Sequence, residues 1–190
     1  MDDPLALDRR AGLPDALRIL LEKFPRAEWE GHGNFNAMTR FWLDRHLMFR
    51  RALARLETSS QEFLDRELEA AAFGQEFARV GSFFLQELHT HHHVEDAHYF
   101  PRLAAHEPRL ARGFEILDAD HHALEAALGG FAEDANALLA RLDDPAAARE
   151  ATGPVEARLA TLHRFLDRHL TDEEEIVVPL VLEHAPAEFE

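Results

Sequence analysis

A histidine precedes a glutamate by four residues at two places in the chain, His91 with Glu95 and His169 with Glu173. Residues at this spacing lie on one face of an α-helix, so each pair would present an imidazole and a carboxylate side by side. Imidazole together with carboxylate suits iron, manganese or zinc. The spacing therefore predicts a metal site and leaves all three metals open.

Two further histidines, His46 and His121, occupy the apolar stripes of their own helical segments. Leu43 stands three residues before His46, and Leu117 stands four residues before His121. Such a stripe faces the core of a helical protein, where a lone imidazole or carboxylate is costly to bury. Four histidines and two glutamates that converge on one axis would satisfy each other through a bound metal.

The histidines next to these positions have other expected roles. His92 and His93 rotate away from the helix face of His91, and we expect them at the surface or beside the ligands. His122 is the alternative to His121. We prefer His121 because its helical neighbours are apolar, whereas those of His122 are Glu125 and Ala126.

Other polar residues near the two pairs leave alternatives open. His98 and Tyr99 are candidates for a hydrogen bond to the Glu95 carboxylate, with core filling as the alternative. Glu95 and His98 also match the Glu-x-x-His spacing of ferritin-type di-iron sites, but Ile176 stands at the matching place in the last helix, which disfavours that site type. We interpret His32 as a loop histidine.

The segments that carry these residues are rich in Ala, Leu, Glu and Arg, which favour helices. The pattern predicts long helices over residues 34–57, 61–103, 108–142 and 154–182. It also predicts a short helix over 14–24, a loop over 26–33, a break at 58–60, a bend near Gly74, a connector over 143–153 that is partly helical, and an interruption or end near Pro179. The aromatic residues expected to fill the core are Phe41, Trp42, Phe83, Phe84, Phe114, Phe131 and Phe165.

Short connections between long helices favour antiparallel neighbours. The predicted fold is therefore all-α, an antiparallel up-down four-helix bundle with a short N-terminal helical extension. The expected division is an extension over 1–33, the bundle over 34–184 and a C-terminal tail over 185–190.

Composition excludes several classes of function. The 20 basic and 36 acidic residues give a net charge of −16, which argues against nucleic-acid and anionic-membrane partners. The chain has no cysteine, so disulfides and thiolate-ligated metal sites are excluded. We see no secretory signal and no apolar run of membrane-spanning length, and we expect a cytoplasmic protein.

The histidine-bearing segments resemble the hemerythrin-like family, also called the HHE cation-binding domain. The matching segments are DRHLMFRRAL, HHHVEDAHYFPRL, DHHALEAAL and HLTDEEEIVVPLVLEH, which lie within residues 34–184. Both His-x-x-x-Glu pairs are also followed by a proline ten residues after the histidine, at Pro101 and Pro179.

This resemblance implies a four-helix bundle around two non-haem iron ions that are joined by an oxo or hydroxo bridge. It implies that Glu95 and Glu173 bridge the irons and that histidines cap them. The implied metal ligands are His46, His91, Glu95, His121, His169 and Glu173.

The chain departs from two patterns within that family. Oxygen-carrying members have two histidines four residues apart on the third helix, whereas Leu117 and Glu125 stand four residues on either side of His121. Bacterial members that repair iron centres usually bring a cysteine-containing N-terminal segment, and this chain has no cysteine. A set with fewer histidines leaves a coordination position open for a small molecule.

The resemblance implies a protein that binds or senses O2 or NO. The alternative is a di-iron redox enzyme for peroxide or NO detoxification, or for iron-centre repair. The sequence does not separate a binding protein from an enzyme, since both would use the same site. A third hypothesis is that the histidines and glutamates form a buried polar network, or hold a single zinc ion, and that the bundle is an interaction module. A protein partner or a homo-oligomer is also expected.

Overall fold

The structure is a computed structural model that describes residues 3–187. Its long helices are α1 (Ala37–Leu64), α2 (Ala70–Val94), α4 (Ala111–Leu139) and α5 (Pro145–His184), with a short α3 (Phe100–His106). A π-helix covers Glu95–Tyr99, and 3-10 turns cover Asp15–Leu17, Arg26–Gly31 and Pro108–Leu110. Residues 3–187 contain no strand, so the predicted all-α helical bundle is confirmed.

The first long helix continues through the break predicted at residues 58–60. The hydroxyls of Ser59 and Ser60 donate to the carbonyl of Leu56 at 3.1 and 2.9 Å, inside the helix, instead of capping a new one. The chain turns after Leu64, where Arg66 has a φ of 62°. The second helix therefore begins at Ala70, later than predicted.

Gly74 lies within α2, and the bend expected there stays a prediction; a π-helix covers Glu95–Tyr99. Pro101 follows it in the first turn of α3, where its missing N–H would have no partner within the helix in any case. The extra residue per turn changes the helical register at Glu95.

The last helix begins before the predicted connector ends and runs to His184. Asp144 caps its start by accepting from the backbone N–H of Ala146 and Ala147 at 3.0 and 3.2 Å. The predicted interruption or end near Pro179 is wrong. Val177–Leu182 are buried in the apolar core, and this packing outweighs the hydrogen bond lost at the proline.

The N-terminal residues are less helical than predicted over 14–24 and more helical than predicted over 26–33. Leu13, Leu20 and Trp29 anchor this segment by packing into an apolar core. Side-chain burial, and not a long helix, holds the segment in place. The division into 1–33, 34–184 and 185–190 stays a prediction, and residues 1, 2 and 188–190 lie outside the described part.

The chain forms two compact units, and each long helix contributes to both. We call Met1–Leu47, His91–His122 and Asp167–Glu190 the histidine unit. We call Met48–Thr90 and Ala123–Leu166 the phenylalanine unit. No described helix is both long enough and apolar enough to span a membrane.

The phenylalanine unit has a core of fully buried aromatic rings. Phe63 and Phe73 stack with ring centroids 4.4 Å apart, and Phe77 lies 5.1 Å from Phe73 and 6.1 Å from Phe131. Of the aromatic residues predicted in the core, Phe41 and Phe83 are exposed, which contradicts the prediction for these two.

The histidine unit combines an apolar cluster with many buried ionisable groups. The apolar part includes Trp42, Phe100, Phe114 and Ile176. The buried ionisable residues are Arg10, His46, His91, His92, Glu95, Glu107, Asp120, His121, His169, Asp172, Glu173 and Glu174.

Candidate metal centre

The histidine unit brings together all six residues that the sequence predicts as ligands, and all six are buried. They come from separate parts of the chain: His46 in α1, His91 in α2, Glu95 in the π-helix, His121 in α4, and His169 and Glu173 in α5. Their ligand atoms form two groups.

The first group consists of His46, His91, Glu95 and Glu173, whose nearest ligand atoms all lie within 4.8 Å of one another. The Nε2 atoms of His46 and His91 are 3.1 Å apart, and His91 Nε2 lies 3.0 Å from Glu95 Oε1. Separations near 3 Å are those of neighbouring ligands on one ion. This group has the composition of a metal site with nitrogen and oxygen ligands.

The second group consists of His92, His121 and His169, again with ligand atoms within 4.8 Å of one another. The Nε2 atoms of His121 and His169 are 3.2 Å apart, and the ring of His92 stacks on that of His121 with centroids 4.1 Å apart. His92 is only 2% exposed and its ring contacts His121 and His169, so of its two predicted placements the surface is wrong and the position beside the ligands agrees with the structure.

Adjacent residues of a helix differ by about 100° in direction, which allows His91 and His92 to face different neighbours. His91 faces His46, whereas His92 faces His121 and His169. The run of three adjacent histidines was the signal in the sequence that could have indicated His92. The sequence analysis assigned ligands to a single face of this helix, but the faces of both His91 and His92 are buried.

The two glutamates lie between the groups. Glu173 Oε2 is 3.5 Å from His46 Nε2 and also 3.5 Å from His169 Nε2. Glu95 contacts His91 through Oε1, and its Oε2 lies 3.7 Å from His121 Nε2. Each carboxylate thus reaches one histidine of each group, as a bridging carboxylate must.

A carboxylate holds the outer ring nitrogen of three of the histidines. His121 Nδ1 lies 2.7 Å from Asp96, and His169 Nδ1 lies 3.3 Å from Asp120. In the same way, His46 Nδ1 lies 3.1 Å from Glu174. Asp120 is buried, so its carboxylate is directed inward to His169. An ionised carboxylate can only accept, so each Nδ1 carries the hydrogen and each Nε2 keeps a lone pair.

Burial controls the ionisation of the central groups. It lowers the pKa of His91 and His92 well below the usual range, and it lowers the pKa of His169 to about 4. Burial raises the pKa of Glu95. Burial also acts to raise the pKa of Asp120, but hydrogen bonds from Arg10 and His169 outweigh it and the pKa is lowered. His91, His92 and His169 are therefore neutral at pH 7, which is the state that binds metals.

The arrangement is incomplete without a cation. The Nε2 atoms of His121 and His169 face each other at 3.2 Å, while their Nδ1 atoms contact Asp96 and Asp120. Oε2 of Glu95 is buried and has no hydrogen-bond partner among the described residues. A cation between these atoms would satisfy all of them, and the imidazole and carboxylate donors fit iron.

The remaining predicted residues are placed less centrally. His93, His98 and His122 are exposed, which agrees with the preference for His121 over His122. The hydrogen bond to Glu95 that the structure shows comes from Trp42 Nε1 at 2.9 Å, and the sequence offered Trp42 only as core filling. His32 stays in the loop before α1, where its ring contacts Phe24.

A comparison with models of protein families matches residues 37–181 to the hemerythrin HHE cation binding domain. No curated protein and no solved structure matches the chain. The matched range contains both groups of ligand atoms, whereas the N-terminal residues up to Asn36 precede it.

Proposed function

The chain belongs to the hemerythrin HHE cation-binding domain family, and we propose that it holds two iron ions and binds or senses O2 or NO there. The observation that carries the proposal is the pair of buried ligand groups, with Glu95 and Glu173 each reaching a histidine of both groups. The ring nitrogens of such a group lie close enough together to share one cation.

The two groups of ligand atoms support one ion each. The first ion would be held by His46 and His91, and the second by His92, His121 and His169. Glu95 and Glu173 would bridge, since each reaches a histidine of both groups. His92 is an addition to the six residues that the sequence indicates.

The first group supplies fewer histidines than the second, which leaves room for a further ligand on its ion. Ferrous iron held by this group would supply the coordination position at which O2 or NO binds. Every residue of the two groups is buried, so a small molecule is the ligand that the site can admit.

The alternative is a redox enzyme for peroxide or NO detoxification or for iron-centre repair, which would use the same two groups of ligand atoms. A cytoplasmic location and a protein or homo-oligomeric partner stay predictions.

The test is the iron content and optical spectrum of protein produced in iron-supplied cells. We expect about two irons per chain in the native protein, and loss of iron and of its absorption bands in His91→Ala and Glu173→Ala. His163→Ala is the matched control, because His163 is an exposed histidine of the phenylalanine unit that bonds to Glu57. It should keep its iron.

Exposure of the ferrous protein to O2 or NO then tests the ligand. A stable spectral change without turnover supports binding or sensing. Steady-state consumption of the gas or of peroxide with a reductant supports the enzyme instead. Native protein that takes up no iron overturns the proposal.

A further inference from the structure

The N-terminal segment, by which we mean the described residues 3–36, contributes an arginine that is buried beside the proposed metal centre. The side chain of Arg10 is 1% exposed. Its Nη1 donates to Asp120 Oδ1 at 2.7 Å, its Nη2 donates to the other oxygen of Asp120, and its Nε donates to Asp172 at 2.8 Å. Asp120 is the carboxylate that accepts from Nδ1 of His169. Arg10, Asp120 and His169 therefore form one continuous chain of contacts.

A second arginine of the same segment contacts, through one hydrogen bond, the carboxylate that holds another histidine. Arg26 Nη1 donates to Glu174 Oε2 at 2.7 Å, and the other oxygen of Glu174 lies 3.1 Å from Nδ1 of His46. The guanidinium also lies 4.5 Å from the centre of the buried Trp29 ring, which positions it.

Both arginines precede residue 37, where the match to the family begins. We propose that the N-terminal segment sets the orientation and donor strength of His169 and His46 through Arg10 and Arg26, and so controls how firmly iron is retained. This inference rests on the proposed function. Arg10 and Arg26 are positioning residues, since they act on the histidines through Asp120 and Glu174.

The physical effect has two parts. A guanidinium bonded to both oxygens of a carboxylate stops that carboxylate from rotating, so the ring nitrogen bonded to it is held in one direction. The guanidinium also shares the negative charge of the carboxylate, which sets how strongly the carboxylate attracts the Nδ1 hydrogen and how basic Nε2 becomes. Removal of the arginine changes both properties at Nε2, where the metal would bind.

The chain contains two natural references for this effect. Arg18 belongs to the same segment and bonds to Glu175 of α5 at 2.5 Å, next to Glu174 in the sequence, but no contact of Glu175 with a site histidine is seen in the described structure. Asp96 holds His121 in the same manner as the other carboxylates, but it is 33% exposed and no described arginine bonds to it. Removal of Arg18 therefore shows the effect of losing a contact of the segment that reaches no site histidine. Removal of the Asp96 carboxylate shows the effect of losing a histidine partner that no arginine holds.

The experiment measures the rate at which a chelator removes iron from the loaded full-length protein. We expect release about tenfold faster in Arg10→Ala, a smaller acceleration in Arg26→Ala, and the native rate in Arg18→Ala. The double variant Arg10→Ala with Asp120→Asn should release iron no faster than the faster single variant. Arg10→Ala with Asp96→Asn should instead show the product of the two single effects.

A second readout needs no metal. In the metal-free protein, the nuclear magnetic resonance signal of the Nδ1 hydrogen of His169 should shift in Arg10→Ala and stay in place in Arg18→Ala. If Arg10→Ala does not fold, two other variants test the inference. Arg26 is 50% exposed, so we expect Arg26→Ala to fold. Arg10→Lys keeps the charge but loses the bond to both carboxylate oxygens, and it should also accelerate iron release.

Equal release rates in the native, Arg10→Ala and Arg18→Ala proteins, with an unmoved His169 signal, would overturn the inference while the iron site stands. Multiplicative effects in the double variant with Asp120→Asn would overturn it as well. Native protein without iron would overturn the proposed function, and the His169 signal would then decide the arginine contact separately.

Discussion

The two units of the chain share the same long helices and bury opposite kinds of side chain. In the phenylalanine unit, the buried polar groups of the described chain are the hydroxyls of Ser59, Ser60 and Thr152, each bonded to a carbonyl of its own helix. The buried ionisable groups all belong to the histidine unit.

The two units therefore differ in what stabilises the folded state. Apolar burial stabilises the phenylalanine unit by itself. The histidine unit contains desolvated imidazoles and carboxylates, which are unfavourable until they are paired or bound to a cation. The long helices therefore bury aromatic rings in the phenylalanine unit and candidate metal ligands in the histidine unit.

The largest expected effect is the loss of stability on removing a buried ring from the phenylalanine unit. Phe131 is fully buried beside Phe77, so Phe131→Ala should lower the free energy of unfolding by about 3–5 kcal/mol. Denaturant unfolding of the iron-loaded and metal-free proteins should give similar losses. The exposed Phe83 is the control, and Phe83→Ala should change stability by less than about 0.5 kcal/mol. A loss confined to the metal-free protein would contradict the separation of the two units.

The next effect concerns acid and the histidine unit. His169 has a pKa of about 4 in the folded protein against 6.5 without the fold, so the unfolded chain binds its proton first. Stability of the metal-free protein should therefore fall as the pH drops from about 6.5 to about 4 and change little through this group at higher pH. The difference corresponds to about 3 kcal/mol. Unfolding measured across this range checks it, and a flat profile would contradict the buried neutral ring.

A smaller effect should have opposite signs with and without metal. Burial raises the pKa of Glu95, so this group favours folding most below pH 4.5, and its contribution falls as the pH rises. Glu95→Gln removes that penalty and still accepts from Trp42. We expect the metal-free protein to gain about 1–2 kcal/mol at pH 8 and little at pH 4.

The same variant should lose iron, because an amide is a poorer bridging ligand than a carboxylate. Melting temperatures at both pH values, with iron content measured alongside, test the pair of effects. Lower stability of metal-free Glu95→Gln at pH 8 would show that the carboxylate is stabilising without a metal.

The smallest expected effect concerns two adjacent glycines of α4 in the phenylalanine unit. Gly129 lies within α4 in the phenylalanine unit, and a Cβ there would meet no atom within 4 Å. Gly129→Ala should stabilise the protein by about 0.5–1 kcal/mol through helix propensity, with unchanged iron content. At Gly130 the Cβ would lie 2.8 Å from Cζ of Arg158, so Gly130→Ala should gain less. Thermal unfolding distinguishes the two, and an equal gain at both positions would contradict this account.

Much of the fold and the candidate site follows from spacing along the chain. The four-residue separation of His91 from Glu95 and of His169 from Glu173 places each pair on one helix face wherever the helix lies. The apolar stripes around His46 and His121 direct them inward for the same local reason. The all-α class and the convergence of the six predicted residues therefore could be predicted without coordinates.

The two prolines show where local spacing stops being sufficient. Pro101 and Pro179 stand at the same distance from their histidines, yet a π-helix precedes the first and an uninterrupted α-helix contains the second. The residues around Pro179 are buried on nearly every side, and that packing keeps the helix intact. A sequence pattern does not contain this energy, since it depends on the neighbouring elements.

Local sequence alone predicted the four long helices and the inward direction of the paired histidines and glutamates, because both depend on residues within one turn. What only the tertiary structure decided is the role of His92, the hydrogen bond from Trp42 to Glu95, and the contacts of Arg10 and Arg26 with Asp120 and Glu174. Most of these contacts join residues more than 50 positions apart. No period along the chain encodes them, because they form only when separate helices pack together.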